Sequence, residues 1–234
     1  MAQRLPLNLP RFRGKLERIR SRVAALTPAG SGPPRIVIVT KYLEAIDTHR
    51  LRELGIGPLG ESRAAELEER APLGEGREEW HFIGHLQRNK IARVIPRTGL
   101  LHSLDSARLA SAIDHWVEER DPRPCNCLVQ VNVSGEEAKG GLAPFEALEE
   151  VPDWVESHRN LRILGLMTMA PRLPAEECRP VFRMLRELLR QIAERLPAPA
   201  ADRFRELSMG MSNDFEVAVE EGSTLLRLGR VLLE

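Results

Sequence analysis

Lysine is nearly absent from this chain. Lys15, Lys41, Lys90 and Lys139 stand among 34 basic residues, and arginine supplies the rest. Net charge is absent as well, because 34 acidic side chains balance the 34 basic ones. A neutral chain has no general electrostatic attraction to nucleic acid or to an anionic membrane, so neither partner is expected. Aromatic residues make up only 4%. Only Phe12 falls among Arg11, Arg13, Lys15, Arg18, Arg20 and Arg22, fewer aromatics than a nucleic-acid-binding face would interleave, and that stretch reads as a solvated helix face. No apolar run approaches the ~20 residues of a membrane span. The N-terminus lacks the apolar region and small-residue cleavage site of a signal peptide, which leaves a cytoplasmic protein as the expectation. Cysteine is scarce too: Cys125 and Cys127 form a C-x-C pair and Cys178 stands alone. Without a second pair, or histidines at ligand spacing, no metal site is expected and the thiols read as reduced and inert.

What the chain does have is 42% hydrophobic residues, too many for a disordered polymer. No linker or low-complexity segment divides it, so residues 1–234 read as one domain. Short apolar runs recur at 36–39, 57–60, 80–84, 100–104, 127–133, 161–169, 207–211 and 225–228. They are continuous rather than alternating, as expected of strands buried on both faces of a parallel sheet. Helical stripes lie between them. Leu16, Ile19, Val23 and Leu26 precede the first run, Leu109, Ile113, Trp116 and Val117 follow the fourth, and Val181, Leu185, Leu188, Leu189, Ile192 and Leu196 follow the sixth. Asp105 and Asn213 are candidate N-caps. Eight such units point to an α/β chain of the (β/α)8 TIM-barrel type, preceded by an N-terminal helix and carrying no second domain. An open doubly wound sheet is the rival, but it commonly uses fewer strands.

In a barrel, chemistry gathers where strands end and βα loops begin. Lys41 ends the run IVIVTK, so a strand delivers its amine to the barrel mouth. A desolvated amine there could attack a carbonyl and form a Schiff base. A structural lysine paired with Glu61 fits the position equally well. The loops after the seventh and eighth runs read SMGMSND and RLGR. Ser208 and Ser212 offer hydroxyls, Gly210 and Gly229 close backbone approach, and the helix near Asn213 its positive end, while Arg227 and Arg230 add charge. A Schiff-base lysine and a phosphate cradle in one mouth are together what pyridoxal 5′-phosphate needs. His81 and His85, beside the third run, read as packing or rim histidines. Met167, Met169, Met209 and Met211 read as fillers of the barrel centre.

The segments IVIVTK, PLGES, WHFIGHLQRNK, LHSLDS, LVQVNVSGEEAKGG, LRILGLMTMAP and LSMGMSNDFEVAVEEGSTLLRLGR resemble the pyridoxal phosphate homeostasis proteins. These are single-barrel relatives of the alanine racemase N-terminal domain. The resemblance runs from about Ile36 to Leu228. It implies that Lys41 carries the cofactor as an internal aldimine, that Ser208 and the Gly229 loop hold the phosphate, and that Arg227 faces the pyridine nitrogen. The cofactor-binding set it implies is Lys41, Ser208, Met209, Ser212, Arg227, Gly229 and Arg230. Three departures stand out: Ser62 replaces the asparagine of the family's G-E-N, Arg230 replaces Thr or Ser, and Tyr42 replaces the proline of T-K-P.

Three functions compete. A non-catalytic carrier would hold pyridoxal phosphate for intracellular homeostasis and deliver it to apo-enzymes, as a monomer or weak dimer. A racemase-like enzyme would need a second base, which alanine racemases take as a tyrosine from a C-terminal domain. Here the sole tyrosine is Tyr42, beside the lysine, and the chain ends at Glu234 directly after the eighth run. Arg227 would moreover leave the ring nitrogen unprotonated and the electron sink weak. A phosphorylated-sugar enzyme would leave Lys41 unexplained unless it were an aldolase. The carrier is the expectation, with no catalytic residue assigned.

Overall fold

In the computed structural model, residues 6–71, 73, 76–136 and 140–233 are described; Lys139 and part of the VNVSGEEAKGG stretch lie outside them. The elements run α1 (Leu9–Leu26), β1 (Arg35–Val39), α2 (Ala45–Glu53), β2 (Leu59–Glu61), α3 (Ala64–Arg70), β3 (Trp80–Phe82), α4 (Ile91–Val94) and β4 (Leu100–Leu104). They continue with α5 (Ala107–Arg120), β5 (Cys125–Gln130), α6 (Pro144–Ser157), β6 (Leu161–Met167), α7 (Arg179–Ala193), α8 (Ala198–Ala201), β7 (Glu206–Ser208), α9 (Phe215–Glu220), β8 (Leu225–Leu228) and α10 (Arg230–Leu233). The strands form a closed parallel barrel in sequence order. β1 and β8 seal it, with Val37 opposite Arg227 and Ile38 opposite Leu228.

Strand parity sorts the side chains. Ile36, Ile38, Leu101, Leu226 and Leu228 face the large outer core beneath the helices. Val37, Leu100, Leu128, Met167 and Leu225 form a smaller cluster inside the ring. Both faces are buried, which is why the sequence shows continuous apolar runs rather than alternation. β2 starts at Leu59 because Pro58 has no N–H to give; its carbonyl still accepts from Ile38 N at 2.8 Å. β7 stops at Ser208, since Gly210 adopts φ +93° and leaves extended geometry.

Among the methionines, Met167 is inside the ring and Met169 packs on it. Met209 belongs instead to the outer core and is fully buried there, and Met211 borders the mouth. The caps differ from expectation as well. Ser106, not Asp105, caps α5 by accepting from Leu109 N, and Asp214, not Asn213, precedes α9. α1 is capped by Asn8, buries Phe12, Leu16, Ile19 and Val23, and packs against α9 and α10. The three cysteines are buried, and burial pushes the Cys125 thiol up to about 12.

Candidate functional site

The βα ends of the barrel open into a cavity of about 990 Å³ whose wall includes Lys41, Ser212, Arg227, Gly229 and Arg230. Lys41 lies in a single 3-10 turn, Thr40–Tyr42, directly after β1, and its side chain is exposed. The turn is clamped from below. Arg70 of α3, fully buried, donates to the carbonyls of Thr40 and Leu43, both at 3.0 Å. It also pairs with Glu61 at 2.6 Å. Glu61 accepts in addition from Thr40 Oγ1 at 2.8 Å and from Ser62 N at 2.7 Å. Glu61 is thus consumed by Arg70, which removes the structural pairing with Lys41. The Lys41 ammonium sits 4.9 Å above the Tyr42 ring centroid, and among the described residues no carboxylate pairs with it.

On the neighbouring strand β8, Arg227 is 5% exposed. Burial draws its guanidinium down to about 10, with Asp214 acting the other way, so it remains a cation at neutral pH. Asp214 accepts from Met211 N at 2.6 Å, a bond that closes the Met211–Asp214 loop; burial raises its pKa. Gly229 is needed for space: a Cβ there would lie 3.1 Å from the Tyr42 ring and 3.3 Å from Val39. Ser212 lies across from it, its Oγ accepting from Val231 N at 3.4 Å.

Two members of the set inferred from sequence stand elsewhere. Ser208 does not border the cavity. It is fully buried inside the barrel, between Arg227 at 2.6 Å and His102 at 2.8 Å. Met209, the residue after β7, packs instead into the outer core. Gly210 is likewise a packing glycine, for a Cβ would meet Ala218 at 2.6 Å and Leu226 at 2.8 Å. His85 is a rim residue, 2.9 Å from Asp105 and lining the cavity, whereas His81 is buried in the ring. The sequence reading missed Arg70 and His102. The parity of β4, with Leu100 inward and Leu101 outward, was the signal that would have turned His102 inward.

A parallel eight-stranded barrel with an amine on the β1 turn, a buried guanidinium on β8 and hydroxyl and glycine loops between them defines a TIM barrel of the alanine racemase N-terminal type. Residues 14–233 match the family model "Alanine racemase, N-terminal domain". The chain is 41% identical over 180 residues to a pyridoxal phosphate homeostasis protein of Aquifex aeolicus, covering 76% of each chain. A protein of the same name from Mycobacterium leprae is 34% identical, covering 93% of this chain and 90% of its own. Among solved structures, PipY of Synechococcus elongatus with PLP bound is 28% identical with a TM-score of 0.76, covering 95% of this chain and all (100%) of that one. The chain belongs to the pyridoxal phosphate homeostasis protein family.

Proposed function

We propose that this chain binds pyridoxal 5′-phosphate in the barrel mouth and serves its homeostasis in the cytoplasm as a non-catalytic holder that passes the cofactor to apo-enzymes. The observation that carries the reading is the convergence of Lys41, Arg227, Ser212 and Gly229 on one cavity. Each group suits one part of the ligand. Lys41 presents an exposed primary amine on a turn held rigid by Arg70. The Ser212 hydroxyl and the side-chain-free backbone at Gly229 suit a phosphate, with the Arg230 charge beside them. Arg227 offers fixed donors to a ring nitrogen and cannot give up its proton at neutral pH. When bound, the cofactor supplies an aldehyde that condenses with an amine, releasing water.

The names of the relatives and the PLP-bound PipY structure support the binding role. A donor-only Arg227 supports holding over catalysis, because an unprotonated ring nitrogen is a poor electron sink. Among the described residues no helix is long and apolar enough to cross a membrane.

Borohydride reduction followed by peptide mass spectrometry tests the attachment. The pyridoxyl adduct is expected on Lys41 and lost in Lys41→Ala; an adduct on Lys15, Lys90 or Lys139 instead overturns it. Amino-acid α-proton exchange in deuterated water tests the non-catalytic role. Rates typical of enzymes, roughly 1–10³ per second, would make the chain a racemase-like catalyst.

A further inference from the structure

The ring interior holds polar side chains that the proposed ligand contacts leave unused. Arg227 donates from one terminal nitrogen to Ser208 Oγ at 2.6 Å and from the other to the Thr168 carbonyl at 2.7 Å. Ser208 Oγ lies 2.8 Å from His102 Nδ1, and His102 Nε2 lies 2.9 Å from His81 Nδ1. β4 and β7 are not neighbours in the barrel, so the Ser208–His102 contact crosses its interior. Arg227, Ser208, His102 and His81 are all buried.

Donor accounting gives this line a direction. A guanidinium only donates, so Ser208 Oγ accepts from Arg227 and keeps one proton to give. Its remaining partner among the described residues is His102 Nδ1, which therefore accepts. Burial holds His81 down to about 3 and His102 well below the ordinary histidine range, so both rings are neutral at pH 7. The His102 proton then sits on Nε2 and is donated to His81 Nδ1, leaving the His81 proton on Nε2. The reverse arrangement would give Ser208 Oγ two donors and leave its own proton buried without an acceptor, which is costly.

We propose that Ser208 and His102 are positioning residues for Arg227, joined in a one-way line of donors from Arg227 through Ser208 and His102 to His81. With its terminal nitrogens anchored to Ser208 and Thr168, the guanidinium cannot swing out of the cavity wall. Its N–H groups not engaged by Ser208 and Thr168 are left for a ligand acceptor bearing a lone pair, such as an unprotonated pyridine nitrogen. This ligand assignment rests on the cofactor reading above; the proton line does not.

Long-range ¹H–¹⁵N spectra of the ligand-free protein test the line itself, the His102 signals being assigned by their loss in His102→Asn. Both rings are expected as neutral Nε2–H tautomers at pH 7. An Nδ1–H tautomer or a protonated ring at His102 overturns the proposal. Titration with pyridoxal phosphate tests the positioning. His102→Phe and Ser208→Ala are expected to weaken binding about tenfold, as for one lost hydrogen bond. His102→Asn, whose side-chain oxygen still accepts from Ser208, is expected to restore most of the affinity. Equal loss in His102→Asn and His102→Phe, or no loss in either, overturns the proposal. Failure of the unsubstituted protein to bind pyridoxal phosphate would instead overturn the cofactor reading and leave the tautomer result to judge the line.

Discussion

Ser208 and Ser212 belong to one S-x-G-x-S segment yet meet different surroundings. Ser212 borders the cavity, whereas Ser208 is sealed beneath it against Arg227 and His102. In the proposed binding mode, replacing Ser212 by Ala removes a donor to the phosphate, a charge-assisted bond worth roughly 1.5–3 kcal/mol. Pyridoxal phosphate is expected to bind at least about tenfold more weakly to that variant, while unphosphorylated pyridoxal is unaffected. Fluorescence titration with both ligands decides it, and equal weakening would move the phosphate away from Ser212. The placement of Lys41, Arg227 and Gly229 at the barrel mouth was legible in the sequence because strand ends and glycine turns leave local marks. Which of the two serines faces the mouth was not. That depends on where β7 stops, and the left-handed Gly210 sets it.

The β1 turn shows how one element is held by another far along the chain. α3 carries Arg70 under the turn, where it bridges Glu61 and the carbonyls on either side of Lys41. Removing one member of a buried pair leaves the other charge uncompensated, at about 3–5 kcal/mol. Arg70→Met is therefore expected to lower stability by that order in urea unfolding. The double variant with Glu61→Leu is expected to recover part of the loss, since the lone carboxylate goes too. Additive losses in the double variant would show that the pair is not coupled.

The strands and the helices α1, α5 and α7 were readable from apolar runs and stripes. α2, α3 and α6 were not predicted. α2 and α3 are short, which leaves little room for an apolar stripe, and α6 carries Pro152 within it, a residue that reads as a helix breaker. Asp105 failed as a cap because its carboxylate is turned to His85, leaving Ser106 to cap α5.

For the barrel as a whole, the buried histidines make stability depend on pH. His81 and His102 are neutral when folded, and in the unfolded chain they titrate near the ordinary value of about 6.5. Below that pH the unfolded state binds more protons, so stability falls as pH falls, by up to about 1.4 kcal/mol per pH unit for each ring. For His81 the loss continues toward about 3, its folded value. Urea midpoints are expected to be level between pH 8 and 7 and to drop steadily from 6.5 to 5, with a shallower drop in His102→Asn. A flat profile down to pH 5 would mean that the rings are protonated or exposed in the folded protein.

The pairing of β1 with β8 has a consequence for biosynthesis. A ribosome releases the lysine turn before the strand bearing Arg227, so a nascent chain presents the amine long before the guanidinium arrives. On the proposed binding mode, a ligand that spans both strands weights the completed ring over every partly made one. Occupancy of the mouth would then report that β8 has closed on β1.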